Sequence, residues 1–231
     1  FMKSLIFDAG PIISLATNNL LWLLEPLKKD FKGNFYLTDA VKRELVDKPL
    51  ETKKFKFEAI QIERLIENGI LDIVHDNFVA QETPKLLSTA NEIFKTHNDY
   101  YIKIVHFAEM SVIAAALSLN ANTIVIDEKI TRLLIENPRM IFIILRKTLH
   151  TPISINENNL KEFNAAVSKI KTIRSVELVT IGYERGLLDS FITNLSNARK
   201  NLLESVLWGL KLNGCAVSKD EIEQIMKIET K

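Results

Sequence analysis

Leu5-Ile6-Phe7-Asp8-Ala9-Gly10-Pro11-Ile12-Ile13-Ser14-Leu15 is the stretch that decides the fold. A short apolar run ends on a carboxylate, a Gly-Pro turn follows, and apolar residues then recur at helical spacing. The run has the length of one buried strand, and the spacing after it predicts a helix from about Ile12 to Trp22. The same order of strand, acid and helix returns at Thr123-Ile124-Val125-Ile126-Asp127, with a helix beginning near Glu128. Buried strands alternating with helices predict a three-layer α/β/α sandwich around a parallel sheet. In such a sheet the C-terminal strand ends lie along one edge, and ligands bind in the crevice beyond it. Asp8 and Asp127 are therefore expected to enter one crevice from two strands.

Outward from these strands, a helix over Leu23–Lys29 leads to a short strand at Asn34–Leu37. Thr38 or Asp39 then caps a helix that carries Glu44 and stops before Pro49. Phe57–Asn68 reads as a helix closed by Gly69, and Ile70–Val74 as a strand. Periodicity weakens from His75 to Tyr101, where Thr83-Pro84 offers a helix start. A helix over Ile104–Leu119 carries Glu109 within an apolar stretch. Pro138 breaks or reopens the helix after Asp127, and Thr151–Ile155 reads as a last strand. Beyond Asn158 the pattern is helical throughout, over Leu160–Ile173, Val176–Gly186 and Leu187–Leu212, with Ser218 capping a final helix. The expected division is a domain over residues 2–158 and a helical C-terminal extension over 159–231 packed on it.

Composition narrows the classes. With 47% hydrophobic and 26% charged residues the 231-residue chain is globular, and its net charge of +1 neither requires nor excludes nucleic acid. A single cysteine, Cys215, excludes an internal disulfide and a cysteine-based zinc site and fits a reducing cytoplasm. No apolar stretch is long enough to span a bilayer. The chain opens into a strand-like run, so no secretory leader is expected, and Phe1 ahead of Met2 is set aside as a remnant. The four histidines show no ligand spacing.

Asp8, Glu44, Glu109 and Asp127 carry the chemistry. Each has a plain structural reading: a strand-end Asp caps a helix, and Glu44 in Lys42-Arg43-Glu44 suits a solvated helix face. Glu109 is harder to explain in that way, because apolar residues surround it. Together the four would repel one another and raise each other's pKa values unless a cation neutralises them. Carboxylate oxygens select a hard divalent ion, Mg²⁺ or Mn²⁺. Asp8, Glu109 and Asp127 are the expected metal ligands, and Glu44 the fourth catalytic acid.

These segments resemble the PIN domain, a metal-dependent ribonuclease fold of toxins and RNA-processing enzymes. The opening run is similar to its first strand, acid and helix, and Thr38-Asp39-Ala40-Val41-Lys42-Arg43-Glu44-Leu45 to the segment bearing its second acid. Ala108-Glu109-Met110-Ser111-Val112-Ile113-Ala114-Ala115-Ala116-Leu117 resembles the helix of the third acid, with Glu where many relatives have Asp. Ile124-Val125-Ile126-Asp127-Glu128 followed by Arg132 resembles the fourth-acid strand and its basic neighbour. The likeness spans roughly Met2 to Ile155. Gly10 stands where many relatives have Ser or Thr. The resemblance implies hydrolysis of RNA phosphodiesters that leaves 5′-phosphate and 3′-hydroxyl ends, with Asp8 and Asp127 replaceable by Asn or Ala at the cost of cleavage and with the fold intact.

Lys53 and Lys54, in Lys53-Lys54-Phe55-Lys56-Phe57, interleave cations with aromatics and are candidate substrate-binding residues together with Arg132. The same run also reads as the solvated start of an amphipathic helix. Leu202–Lys211 and Ser218–Lys227 have the outline of a helix-turn-helix, but Asp220, Glu221 and Glu223 on the second helix would repel DNA phosphates. RNA is the expected substrate, and a homodimer, an antitoxin or another protein are the expected partners. A non-catalytic binding module and the toxin of a toxin–antitoxin pair are the competing functions.

Overall fold

The structure, a computed structural model, describes residues 3–230; Phe1, Met2 and Lys231, at the ends of the expected domain spans, lie outside it. Strand β1 (Lys3–Phe7) runs into helix α1 (Ala9–Thr17), and α2 (Leu24–Phe31) leads to β2 (Gly33–Thr38). Helix α3 (Asp39–Lys42), a π-helical turn over Arg43–Asp47 and α4 (Lys48–Glu51) follow as one continuous coil. It runs past Pro49 instead of stopping before it. Pro49 is the second residue of α4, directly after the π-helical turn, where the backbone hydrogen-bond pattern changes. Helix α5 (Lys56–Glu67) and β3 (Asp72–Val74) complete this half.

Helix α6 (Asn77–Asn91) fills the stretch whose periodicity is weak, with Pro84 in its interior. Asp76 caps it by accepting from Phe78 N, and the Thr83 hydroxyl donates to the Val79 carbonyl at 2.6 Å, one residue before the carbonyl the proline leaves without its donor. Strand β4 (Phe94–Thr96) precedes α7 (Phe107–Ser118), β5 (Thr123–Val125), α8 (Lys129–Glu136) and α9 (Pro138–Leu149). Strand β6 (Ile153–Ile155) pairs antiparallel with β4 in a small separate sheet, so it is not the last strand of the main one.

The expected helix over Leu160–Ile173 divides. Helix α10 (Glu157–Val167) ends, and Lys171–Ile173 forms β7, which pairs in parallel with β5. Three residues carry too little alternation to stand out against the preceding helical pattern. The main sheet has the order β3-β2-β1-β5-β7, with all four pairings parallel. Its edge strand thus comes from beyond Asn158. Helices α11 (Ser175–Glu184), α12 (Ala198–Leu212) and α13 (Lys219–Glu229) close the chain.

Helices cover both sides of the sheet, the arrangement an all-parallel sheet needs because neither face can meet water. Helix α7, built of Met110, Val112, Ile113 and alanines with no exposed surface, lies against β1, β2 and β5. Helix α1 packs on α11, α11 on α12 and α12 on α13. The α12–α13 pair buries Leu203, Leu207, Leu210, Ile222 and Met226, which gives this helix-turn-helix outline a packing role. No helix of the described residues is long and apolar enough to cross a membrane.

Candidate active site

Parallel register brings the acids to one edge. Phe7 pairs with Val125 and Val125 with Ile173, so β1, β5 and β7 end level with one another. Asp8 N donates to the Val125 carbonyl and Ile126 N to the Ile173 carbonyl, which extends the ladder one residue past each strand. Asp8 caps α1, its Oδ2 accepting from Gly10 N at 3.4 Å. A Cβ on Gly10 would stand 3.4 Å from Asp127 Cβ and 3.6 Å from Asp8 Oδ2. The glycine therefore sits between the two aspartates, at a distance where a Cβ would make ordinary contact with both.

Glu109 reaches the same edge because α7 begins at Phe107, later than the sequence predicts, which puts Glu109 in its first turn. Its Oε2 accepts from His106 N at 2.7 Å, one arm of a capping box. The start of α7 is fixed to the end of β2 by a buried 2.6 Å hydrogen bond between the Thr38 and Ser111 hydroxyls. Glu44 lies on the π-helical turn and is exposed. Such turns widen the helix by one residue and recur at functional sites.

Asp127 is held differently. Its Oδ2 accepts the Ser14 and Ser175 hydroxyls, each at 2.7 Å, and its Oδ1 accepts Ser175 N at 2.7 Å. Its carbonyl accepts Ala216 N from the C-terminal segment. With 2% of its surface exposed, Asp127 ties α1, β5, α11 and the chain end together. Next to it Arg174, at the end of β7, binds Glu177, Glu221 and the Ala216 carbonyl. Buried Cys215 stays a thiol: burial, then the Asp127 charge, pushes it up to about 12.

Glu128 emerges as an acid that the sequence reading treats only as a helix start. It caps α8 by accepting from Thr131 N at 2.6 Å, and its charge bears on Glu109. Its signal in the sequence is a second acid immediately after the strand-end aspartate. Of the expected substrate-binding residues, Lys53 and Lys54 are exposed on the loop before α5 and line neither of the hollows that Glu44 borders. Arg132 lies in α8 with its Nε buried and without a hydrogen-bond partner.

Electrostatics mark Asp8 and Glu109 as the centre. Burial, then the charges of Glu109 and Glu44, push the Asp8 carboxyl up to about 7, against the opposing pull of the Ala9 and Gly10 N–H groups. Glu109 is raised as well, chiefly by burial and by the charges of Glu128 and Glu44, against the His106 N–H. Among the described residues no three acid, His or Cys side chains stand close enough together to hold a metal ion. The donors are nevertheless of one kind, carboxylate oxygen, and the raised proton affinity of Asp8 and Glu109 is that of a site short of positive charge.

A parallel sheet with acids gathered at its C-terminal edge defines an α/β domain whose candidate site is built of carboxylates. The family follows from comparison: a family model described as a PIN domain matches residues 4–140, more than half of the chain, and the chain belongs to the PIN domain family. PIN domains are generally nucleases and generally use divalent metals. No curated protein and no solved structure matches it.

Proposed function

We propose that the chain is a divalent-cation-dependent ribonuclease. The observation that carries this reading is the meeting of Asp8 and Glu109 at one sheet edge, each with its proton affinity raised by burial and by neighbouring negative charge. Asp8 and Glu109 would hold Mg²⁺ or Mn²⁺ through carboxylate oxygen, with water in the remaining positions and Glu44 orienting that water. Asp127 fits a positioning role in addition to the ligand role expected of it, because its three hydrogen bonds set where β5 and α11 meet α1.

When bound, the cation supplies an activated water and offsets the charge that builds on the scissile phosphate. The protein's own part is to bring the phosphate there. An open hollow of about 690 Å³ runs between the Glu44 turn and the start of α7, lined by Arg43, Lys48 and His106 among others. Arg43 and Lys48 make no ion pair among the described residues and are free to meet phosphate oxygens. A bound cation would favour the ionised form of Asp8, and the Thr38–Ser111 hydrogen bond keeps Glu109's helix in register with the strand ends.

The test is cleavage of single-stranded RNA with Mg²⁺ or Mn²⁺ across Asp8→Asn, Glu109→Gln and the unaltered chain. The reading expects both variants to fold and to lose at least a hundredfold in rate, a loss typical of removing a group that stabilises transition-state charge. Full activity in either variant would refute the assignment of that acid.

A further inference from the structure

Helix α9 carries apolar residues on every side. Met140-Ile141-Phe142-Ile143-Ile144-Leu145 follow one another without a polar residue, yet only Ile141 is fully buried. A surface helix confines its apolar residues to the stripe that faces the core, and one apolar all round belongs under cover. Here Phe142 and Leu145 lean on the core, while Met140 and Ile143 are 41% and 44% exposed. From Ile141 on, the helix lies past residue 140, where the family match ends, so nothing in that match accounts for this face.

The uncovered side has the relief of a helix-packing surface. Phe142 and Arg146 form one row at i, i+4 spacing, and Ile143 and Lys147 form the next. A hollow of about 320 Å³ is lined by these four residues alone. A groove between two such rows is where another helix seats its own ridge of side chains. The walls of this groove carry two cations and no acid, and α9 itself contains no acidic residue. Among the described residues, Arg139 is the one cation of α9 with an acidic partner, Glu157. Arg146 instead lies over the Phe142 ring, 5.5 Å from its centre.

We propose that α9 is the docking surface for an acidic amphipathic helix of a partner protein. An apolar residue of that helix would seat between Phe142 and Ile143, with carboxylates beside Arg146 and Lys147. The charge and relief of the face select this occupant. A second copy docking through the same face would set Arg139, Arg146 and Lys147 against three like charges. RNA needs open rings on which to stack its bases, but the exposed apolar groups of the groove are aliphatic and Arg146 covers Phe142. A helix lying on a bilayer keeps its cations off the apolar stripe, whereas Lys147 follows Ile143 on the same row. The inference is independent of the ribonuclease reading.

A display library of helical peptides, selected on the immobilised full chain and counter-selected on its Ile143→Ser variant, supplies the probe. The proposal expects the retained peptides to carry apolar residues at i, i+4 spacing flanked by Asp or Glu. In fluorescence anisotropy, Arg146→Glu together with Lys147→Glu should weaken a retained peptide by about tenfold or more. The same peptide with its acids changed to Lys should then bind the doubly substituted chain and not the parent. These substitutions alter exposed side chains, and unchanged melting temperatures would exclude loss of fold. Retention of no peptide, retained peptides without acids, or binding indifferent to the charge reversal would overturn the proposal. So would binding to phosphatidylserine vesicles, or dimerisation in light scattering, that Ile143→Ser abolishes; the face would then belong to a membrane or to a second copy.

Discussion

At the scale of single residues, the two aspartates at the strand ends divide into different jobs. Asp8 is buried with only the backbone N–H groups of Ala9 and Gly10 to offset its charge, whereas Asp127 accepts three hydrogen bonds, two of them from hydroxyls. Without a cation, Asp8 costs stability once ionised. Its folded value, about 7, stands above the ordinary 3.8, so the cost is absent below about pH 4, grows as pH rises to about 7, and is then constant. Asp8→Asn should therefore raise the melting temperature at pH 8 by the equivalent of a few kcal/mol and leave it nearly unchanged at pH 4. A pH series of thermal melts with a chelator present checks this, and a pH-independent effect would contradict it. Asp127→Ala is expected to do the reverse. It strips the partners from Ser14 and Ser175 at a site 2% exposed, at a cost of about 3 kcal/mol or more in chemical denaturation. The sequence motif equates the two aspartates and predicts an intact fold for both; the hydrogen bonds that separate them come from residues 14 and 175, which no local pattern connects.

Among elements, legibility followed length and periodicity. Strands β1, β2 and β5 and helix α7 are long or strongly apolar, and the sequence places them to within about three residues, the start of α7 being the largest difference. Helix α6 was hidden by Pro84, whose effect is local once Thr83 bonds back to Val79. Strand β7 was hidden because three residues, Lys171-Thr172-Ile173, become a strand only through the partner that β5 offers. Glu128's proximity to Glu109 depends on how α8 meets α7, again a tertiary fact. Arg174 joins these elements at the β7 end, 10% exposed and bonded to Glu177 and Glu221. Arg174→Ala should lower stability by about 2–4 kcal/mol and speed hydrogen exchange in α13 before the central strands. For Glu221, burial raises the carboxyl, but the Ser218 N–H and the Arg174 guanidinium outweigh it and hold it at about 2. The stability it contributes is present above about pH 4.5 and is lost as pH falls towards 2. α13 protection that does not weaken over that acid range would contradict this clasp.

For the whole molecule, a parallel sheet places its strand ends, and so its acids, at one edge, and the C-terminal helices hold that edge from behind. Ala216 bonds to Asp127 and to Arg174, so the chain end supports the β5 and β7 termini. Removing residues 213–231 is accordingly expected to destabilise the entire domain, visible as a lower, broader thermal transition in place of an unchanged one. The central claim is that the acids at this edge form a cation-dependent nuclease centre. Its most direct test is cleavage of end-labelled single-stranded RNA by the unaltered chain with Mn²⁺ or Mg²⁺, beside a chelator control and Asp8→Asn. The account predicts products carrying 5′-phosphate ends that disappear in both controls. Cleavage that survives the chelator and the Asp8→Asn substitution, or no cleavage together with no cation-induced rise in melting temperature, would contradict it.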